Sequence, residues 1–174
     1  MENYKLSNEC ASLKGTDITL EEADSPTFIG IRQRAFQGDL ICTLSLDTTV
    51  ESEAGITIYM DENEHYDLAI RSVKDDSNQM TFEAIEKLNI GDIKHVQNTV
   101  VLENNQAKLH IKMEETQYHF YVQINDQEIE LGHAMSKYLS SEVASGFTGI
   151  VLGMYAIGTG LEATFSDFQI EYQK

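Results

Sequence analysis

The side chains able to do chemistry are few, apart from the acids. Five histidines occur, at 65, 95, 110, 119 and 133, and none stands in an HExxH string. No GxSxG, Walker A or GxGxxG string occurs either, so no nucleophile elbow or phosphate cradle is written into the chain. His110 and His119 each lie in a run flanked by alternating apolar residues, which turns them toward the opposite, solvent-facing side of a strand. Hydrolysis of a glycoside needs two carboxylates held at a fixed separation. With 29 acidic residues some pair always looks available, so abundance points nowhere. Asp61–Asp67 (DENEHYD) starts like a calcium loop, but Tyr66 stands where the sixth position needs glycine and Ser72 where the twelfth needs glutamate. Cys10 and Cys42 form no CxxC or Cys/His zinc spacing and are too few for a disulfide framework.

Two binding chemistries stay open. An aromatic ring can stack on the apolar face of a sugar, and the chain has eight Tyr and seven Phe but no Trp. Tyr59, Tyr66, Tyr118 and Tyr121 lie in neighbouring candidate strands and are the candidate platforms, with core or rim packing as the competing use of each. A structural calcium between the sheets of a sandwich would draw on an early acid, Asp17 or Glu21, and a late one, Asp167.

These residues sit in a chain of period two. Ile56, Ile58 and Met60 alternate with Gly55, Thr57 and Tyr59, and the same pattern returns in HYDLAIR, AKLHIKME and YHFYVQIN. Such alternation, rich in β-branched and aromatic residues, marks half-buried antiparallel strands. Strands are expected over residues 17–21, 27–34, 39–46, 55–60, 65–72, 80–88, 95–102, 108–114, 118–125, 128–132, 149–156 and 163–172. Glu103–Gln106 and Ile124–Gln127 read as tight turns, since Asn and Asp tolerate positive φ. Met135–Val143 is the one helical turn. With a single proline and no linker, residues 1–174 are expected to form one all-β, two-sheet antiparallel sandwich.

Lys and Arg total 12 against 29 acids, a net charge of −17, which repels nucleic acid and anionic membrane alike. Neither a signal peptide nor a membrane span is written in the chain, and a cytoplasmic location is expected.

Pro26–Phe36, Glu53–Ile70, Leu131–Val143, Ser145–Gly160 and Ala163–Tyr172 together, in this order, resemble the C-terminal β-sandwich of glycoside hydrolase family 43 β-xylosidases and α-arabinofuranosidases. The resemblance implies a concanavalin A-like jelly roll that follows a catalytic five-bladed propeller. The propeller carries the catalytic carboxylates, and none of it lies within these residues. The resemblance further implies a loop reaching toward the propeller's pocket. Here that loop reads Ser145-Gly146-Phe147-Thr148-Gly149, with glycine at the first of the family's two Phe positions. Phe147 matches the second and joins the sugar-contact candidates, although sandwich packing suits it better. Gly153, inside the following strand, suggests a bulge or a close approach by another segment. The expected function is a non-catalytic accessory domain that supports or binds polysaccharide such as xylan, with an oligosaccharide or a catalytic propeller as partner. The alternatives are an autonomous lectin-like module and a structural sandwich that forms homo-oligomers.

Overall fold

The structure, a computed structural model, describes residues 2–140 and 149–174. Thirteen strands are found in them: β1 (Tyr4–Leu6), β2 (Cys10–Lys14), β3 (Thr27–Arg32), β4 (Gly38–Asp47), β5 (Ser52–Tyr59), β6 (Glu64–Lys74), β7 (Met80–Ile90), β8 (Ile93–Leu102), β9 (Gln106–Met113), β10 (Gln117–Ile124), β11 (Gln127–Met135), β12 (Val151–Ile157) and β13 (Glu162–Tyr172). They form two antiparallel sheets. The seven-stranded sheet runs β1-β2-β13-β4-β9-β10-β11, and the six-stranded sheet runs β3-β12-β5-β6-β7-β8. This is the expected sandwich.

Alternation builds the core between them. In β4, Leu40, Cys42, Leu44 and Leu46 are buried while Ile41, Thr43 and Ser45 face out. Leu109, Ile111 and Met113 of β9 and Phe120 and Val122 of β10 meet Ile56, Ile58, Leu68 and Ile70 of the opposing sheet in one cluster. Each such side chain contributes about 1.5–3 kcal/mol when fully buried. The β10–β11 hairpin closes at Asn125 (φ 50°) and Asp126 (φ 62°), the paired left-handed residues of a tight turn.

Four expectations change. Residues 17–21 are not a strand. With Thr16 bridged to Ile157, the segment between β2 and β3 crosses the outer face of the six-stranded sheet. Leu20 there packs with Ala69, Ile85 and Tyr155 in a second small core. This sheet is therefore covered on both faces, and β6 is buried at six consecutive residues, His65–Ile70. Second, β1 and β2 carry no long alternating run and are additions to the expected strands; β2 pairs with β13, and β1 pairs with β2 at the sheet edge. Third, the expected helical turn Met135–Val143 is, among the described residues, one 3-10 turn, Ser136–Leu139, and residues 141–143 lie outside them. Fourth, Gly153 is no bulge, because β12 pairs with β3 and β5 without a register break. A Cβ there would run into the Phe28 ring and the Ile29 carbonyl, so close approach is the reason for glycine. Gly146 and Phe147 lie outside the described residues.

Candidate functional site

The exposed face of the seven-stranded sheet gathers most of the chain's imidazoles. Alternation turns His110 of β9, His119 and Tyr121 of β10 and His133 of β11 outward, as the strand pattern required of His110 and His119. Register does the rest: Tyr121 pairs with His110, and His119 with His133. The Tyr121 ring lies 5.3 Å from His110 and 6.4 Å from His119, each within 30° of parallel, and His119 lies 5.8 Å from His133.

Carboxylates fix these rings. His110 Nε2 is 2.6 Å from Asp39 Oδ1 and its Nδ1 is 3.0 Å from Glu128 Oε2. His119 Nδ1 is 2.8 Å from Glu130 Oε1, with Glu114 Oε2 at 3.5 Å from Nε2. Hydrogen bonding and attraction from Lys112 hold the Glu114 carboxyl below its ordinary range. Burial, then Glu130, pushes the Tyr121 phenol up, so it stays neutral at ordinary pH. Along the same strands the face continues into a shallow polar groove of about 590 Å³, bordered by Thr43, Asn104, Lys108, Gln123 and Asp126.

Of the four candidate tyrosines, Tyr121 alone belongs to this surface. Tyr59 lies half-buried on the outer face of the other sheet, its ring 5.3 Å from Phe28 and 5.6 Å from His65. Tyr66 and Tyr118 point inward and are buried, so neither ring offers a free face to a sugar. Tyr66 donates its hydroxyl to the Met135 carbonyl at 2.8 Å, and its ring meets Tyr118 and Phe120 edge-on. Their place in an alternating run is equally that of an inward residue, and the inward face won.

The three calcium candidates are not brought together. Asp17 Oδ1 accepts from the backbone and hydroxyl of Thr159. Glu21 pairs with Lys87 at 3.7 Å. Asp167 is exposed, at φ 52°, in the bulge of β13. Asp17 and Glu21 thus serve separate contacts. Among the described residues no group of three or more metal-competent side chains forms.

A charged cluster that sequence reading missed lies under the Thr16–Pro26 segment. Asp67 pairs with Lys87 and His65 with Asn89 across β6 and β7. Lys87 Nζ is 2.8 Å from Glu53, 3.7 Å from Glu21 and 3.9 Å from Asp67. Asp67, fully buried, accepts from the Thr57 hydroxyl at 2.6 Å and lies 2.9 Å from His65 Nδ1. Burial works against both charges, yet each partner more than offsets it: Asp67 is held below its ordinary range and His65 raised above it. Lys87 is likewise raised against burial by Glu53, Asp67 and Glu21. Tyr155 donates to Glu53 at 2.6 Å. Only Glu21 comes from the cover, so its pairing with Lys87 ties segment to sheet while the other bonds lie within the sheet, and Asn89 Oδ1 is left buried without a partner. Only the register of β6 on β7 could have revealed it.

At one end of the sandwich a cavity of about 520 Å³ opens among Phe36, Met60, Tyr118, Leu139 and Ile150, rimmed by Arg34 and Lys137. Phe36 is 73% exposed, the most solvent-facing of the large apolar residues described.

Comparison with known proteins places this geometry. Residues 2–171 match the family model of the β-xylosidase C-terminal concanavalin A-like domain. A non-reducing end α-L-arabinofuranosidase of Bacteroides ovatus is 34% identical over 149 residues, 85% of this chain and 27% of the enzyme. A solved Bacteroides ovatus xyloglucan-locus family 43 protein superposes with TM-score 0.85 at 31% identity, over 98% of this chain and 34% of its own. A xylan β-1,4-xylosidase from Bacillus halodurans shares the fold with TM-score 0.76 at 20% identity, over 95% of this chain and 33% of its own. The chain thus spans about a quarter to a third of these enzymes, and their catalytic domain is not among its residues. It belongs to the family of C-terminal concanavalin A-like domains found in glycoside hydrolase family 43 enzymes.

Proposed function

We propose that this sandwich serves a family 43 catalytic domain as a non-catalytic partner, packing against it through the end that carries Phe36 and the adjoining cavity, and supporting its action on pentose-containing polysaccharide. The observation that carries the reading is the match of nearly the whole chain to a domain that is about a quarter of an arabinofuranosidase. Phe36 supports the choice of surface, because so exposed an aromatic beside an open apolar cavity gains by being covered. Arg34 and Lys137 at the rim would give the contact polar register on an otherwise acidic protein.

The test mixes the 174-residue chain with a separately produced family 43 catalytic domain and follows binding by sedimentation, with hydrolysis of aryl β-xyloside and aryl α-arabinofuranoside as second readout. The expected result is no turnover by the chain alone and a complex that Phe36→Asp abolishes. Turnover by the chain alone, or a complex indifferent to Phe36, overturns the reading.

A second reading, an autonomous binding module, has one observation in its favour. A Saccharomyces cerevisiae protein of unknown function has this fold (TM-score 0.66, 15% identity), and the superposition covers 92% of that chain, so the fold also occurs with almost nothing attached.

A further inference from the structure

Beside the buried ionic cluster, one amide serves two partners whose demands can come into conflict. Asn89 of β7 stands opposite His65 of β6, and both side chains are buried. Asn89 Nδ2 lies 3.2 Å from His65 Nε2 and 3.1 Å from the Glu62 carbonyl, while its Oδ1 has no partner. An amide nitrogen carries two hydrogens, so it satisfies both neighbours only if both accept. A carbonyl always accepts. An imidazole nitrogen accepts only while the ring is neutral. The arrangement therefore fits a neutral His65 whose one proton sits on Nδ1, facing the two Asp67 oxygens at 2.9 and 3.0 Å.

The wider surroundings pull the other way. Asp67 on the same strand and Glu21 from the covering segment favour the imidazolium, and Lys87 of β7 opposes it. Asp61 interacts with the ring from the β5–β6 connection, where Glu62 and Glu64 add further acid, and Tyr59 of β5 stacks on it. Burial penalises the charged ring, but Asp67 and then Glu21 outweigh it and hold His65 above its ordinary 6.5. Asp67 thus favours a proton on Nε2 that Asn89, as it is oriented, cannot accept.

Once Nε2 is protonated, donor faces donor. The free acceptor on the same side chain is Oδ1, and presenting it takes a half turn of the amide about χ2. That rotation sets Oδ1 against the Glu62 carbonyl, oxygen to oxygen, and the connection between β5 and β6 loses its bond to the Asn89 side chain. Its backbone bond to the β7–β8 turn, from Gly91 N–H to the Asn63 carbonyl at 2.9 Å, then carries more of the load. Met60 belongs to this connection and also forms part of the wall of the 520 Å³ cavity. We propose that His65 and Asn89 form a proton-driven latch, in which protonation of His65 turns the Asn89 amide, frees the Glu62 carbonyl and loosens residues 60–63 at the cavity wall. The latch goes beyond the docking reading of that end and stands or falls without it. Glu64, pushed up to about 7 by burial and then by its bond with Asp61, titrates in the same connection and needs its own control.

Nitrogen and methyl NMR of the 174-residue chain, taken from about pH 8.5 down to about pH 4.5, tests it. At the alkaline end His65 should hold its proton on Nδ1 and leave Nε2 bare. As pH falls, protonation of Nε2 should share one midpoint with shifts of the Asn89 side-chain amide and the Met60 methyl. Across that midpoint the Gly91 amide, corrected for its intrinsic pH dependence, should exchange at least about tenfold faster. Glu64→Gln should leave the step in place. Asn89→Ala should abolish it, with Gly91 exchanging fast at both ends while His65 still titrates. Where circular dichroism shows Asn89→Ala unfolded, the parent and Glu64→Gln titrations decide. A His65 that does not titrate in this range overturns the proposal, as does one that titrates while the Asn89 and Met60 signals stay still. A step that vanishes in Glu64→Gln belongs to the Glu64–Asp61 pair and equally refutes the latch.

Discussion

Glu86 of β7 is a carboxylate in an uncomfortable place. It is fully buried, accepts one long bond (3.3 Å) from Asn98 Nδ2, and leaves Oε1 without a partner. Gly132 of β11 faces it so closely that any Cβ there would collide with Oε2. Burial, aided by Glu130 and opposed by the Asn98 bond, pushes the Glu86 carboxyl up to about 7 from an ordinary 4.5. A carboxyl whose pKa is raised on folding favours the folded state while protonated. That advantage is complete below about pH 4.5 and is lost as pH rises from there to about 7. Glu86→Gln should therefore raise stability at pH 8, by about 2 kcal/mol, and flatten its pH dependence between 4.5 and 7, read by urea unfolding at a series of pH values. Glu64, pushed up to about 7 by burial and by Asp61, titrates in the same window, so the difference between variant and parent isolates the Glu86 share. Lys87 gives the opposite case. It is the one lysine among three carboxylates, Glu21, Glu53 and Asp67. Removing one partner of a buried ionic group leaves uncompensated charge, so Lys87→Met should cost about 3 kcal/mol at pH 7, measured by the same unfolding.

At the scale of elements, the Thr16–Pro26 segment behaves as part of the core although it has no regular structure. Leu20 is 1% exposed and closes the second apolar cluster over Ala69, Ile85 and Tyr155. Leu20→Ala should cost about 2–3 kcal/mol, and in hydrogen exchange the outward-facing residues of β6 beneath it should lose protection first. If protection there is unchanged, the segment is not what seals this face. Among the described residues no such segment covers the seven-stranded sheet, whose outer face alternates in polarity and presents rings and a groove. The six-stranded sheet spends the same face on internal packing.

Across the whole molecule, one apolar cluster takes residues from both sheets, so neither sheet is a unit by itself. Thermal unfolding followed by far-ultraviolet dichroism and by tyrosine fluorescence should give coincident transitions; two separated midpoints would contradict the shared core. The net charge of −17 adds a second expectation. Raising salt from about 0.01 M to about 0.1 M shortens the screening length from ~30 Å to ~10 Å, so Tm should rise as self-repulsion is damped. Alternation and turn chemistry in the chain were enough to determine fold class and the position of most strands, because period-two burial is a local property. They also showed that His110 and His119 face outward and that no catalytic set is assembled from known strings. Tertiary structure alone decided the rest. Period two separates the faces of a strand without saying which is covered, so Tyr66 and Tyr118 went to the core while Tyr121 stayed at the surface. It cannot state register, so the meeting of Lys87 with Asp67, and of His110 with Tyr121, was not legible. Nor can it say that an irregular segment will lie over a sheet, which is why residues 17–21 read as a strand. These are contacts between residues far apart in sequence, and only the packed molecule fixes them.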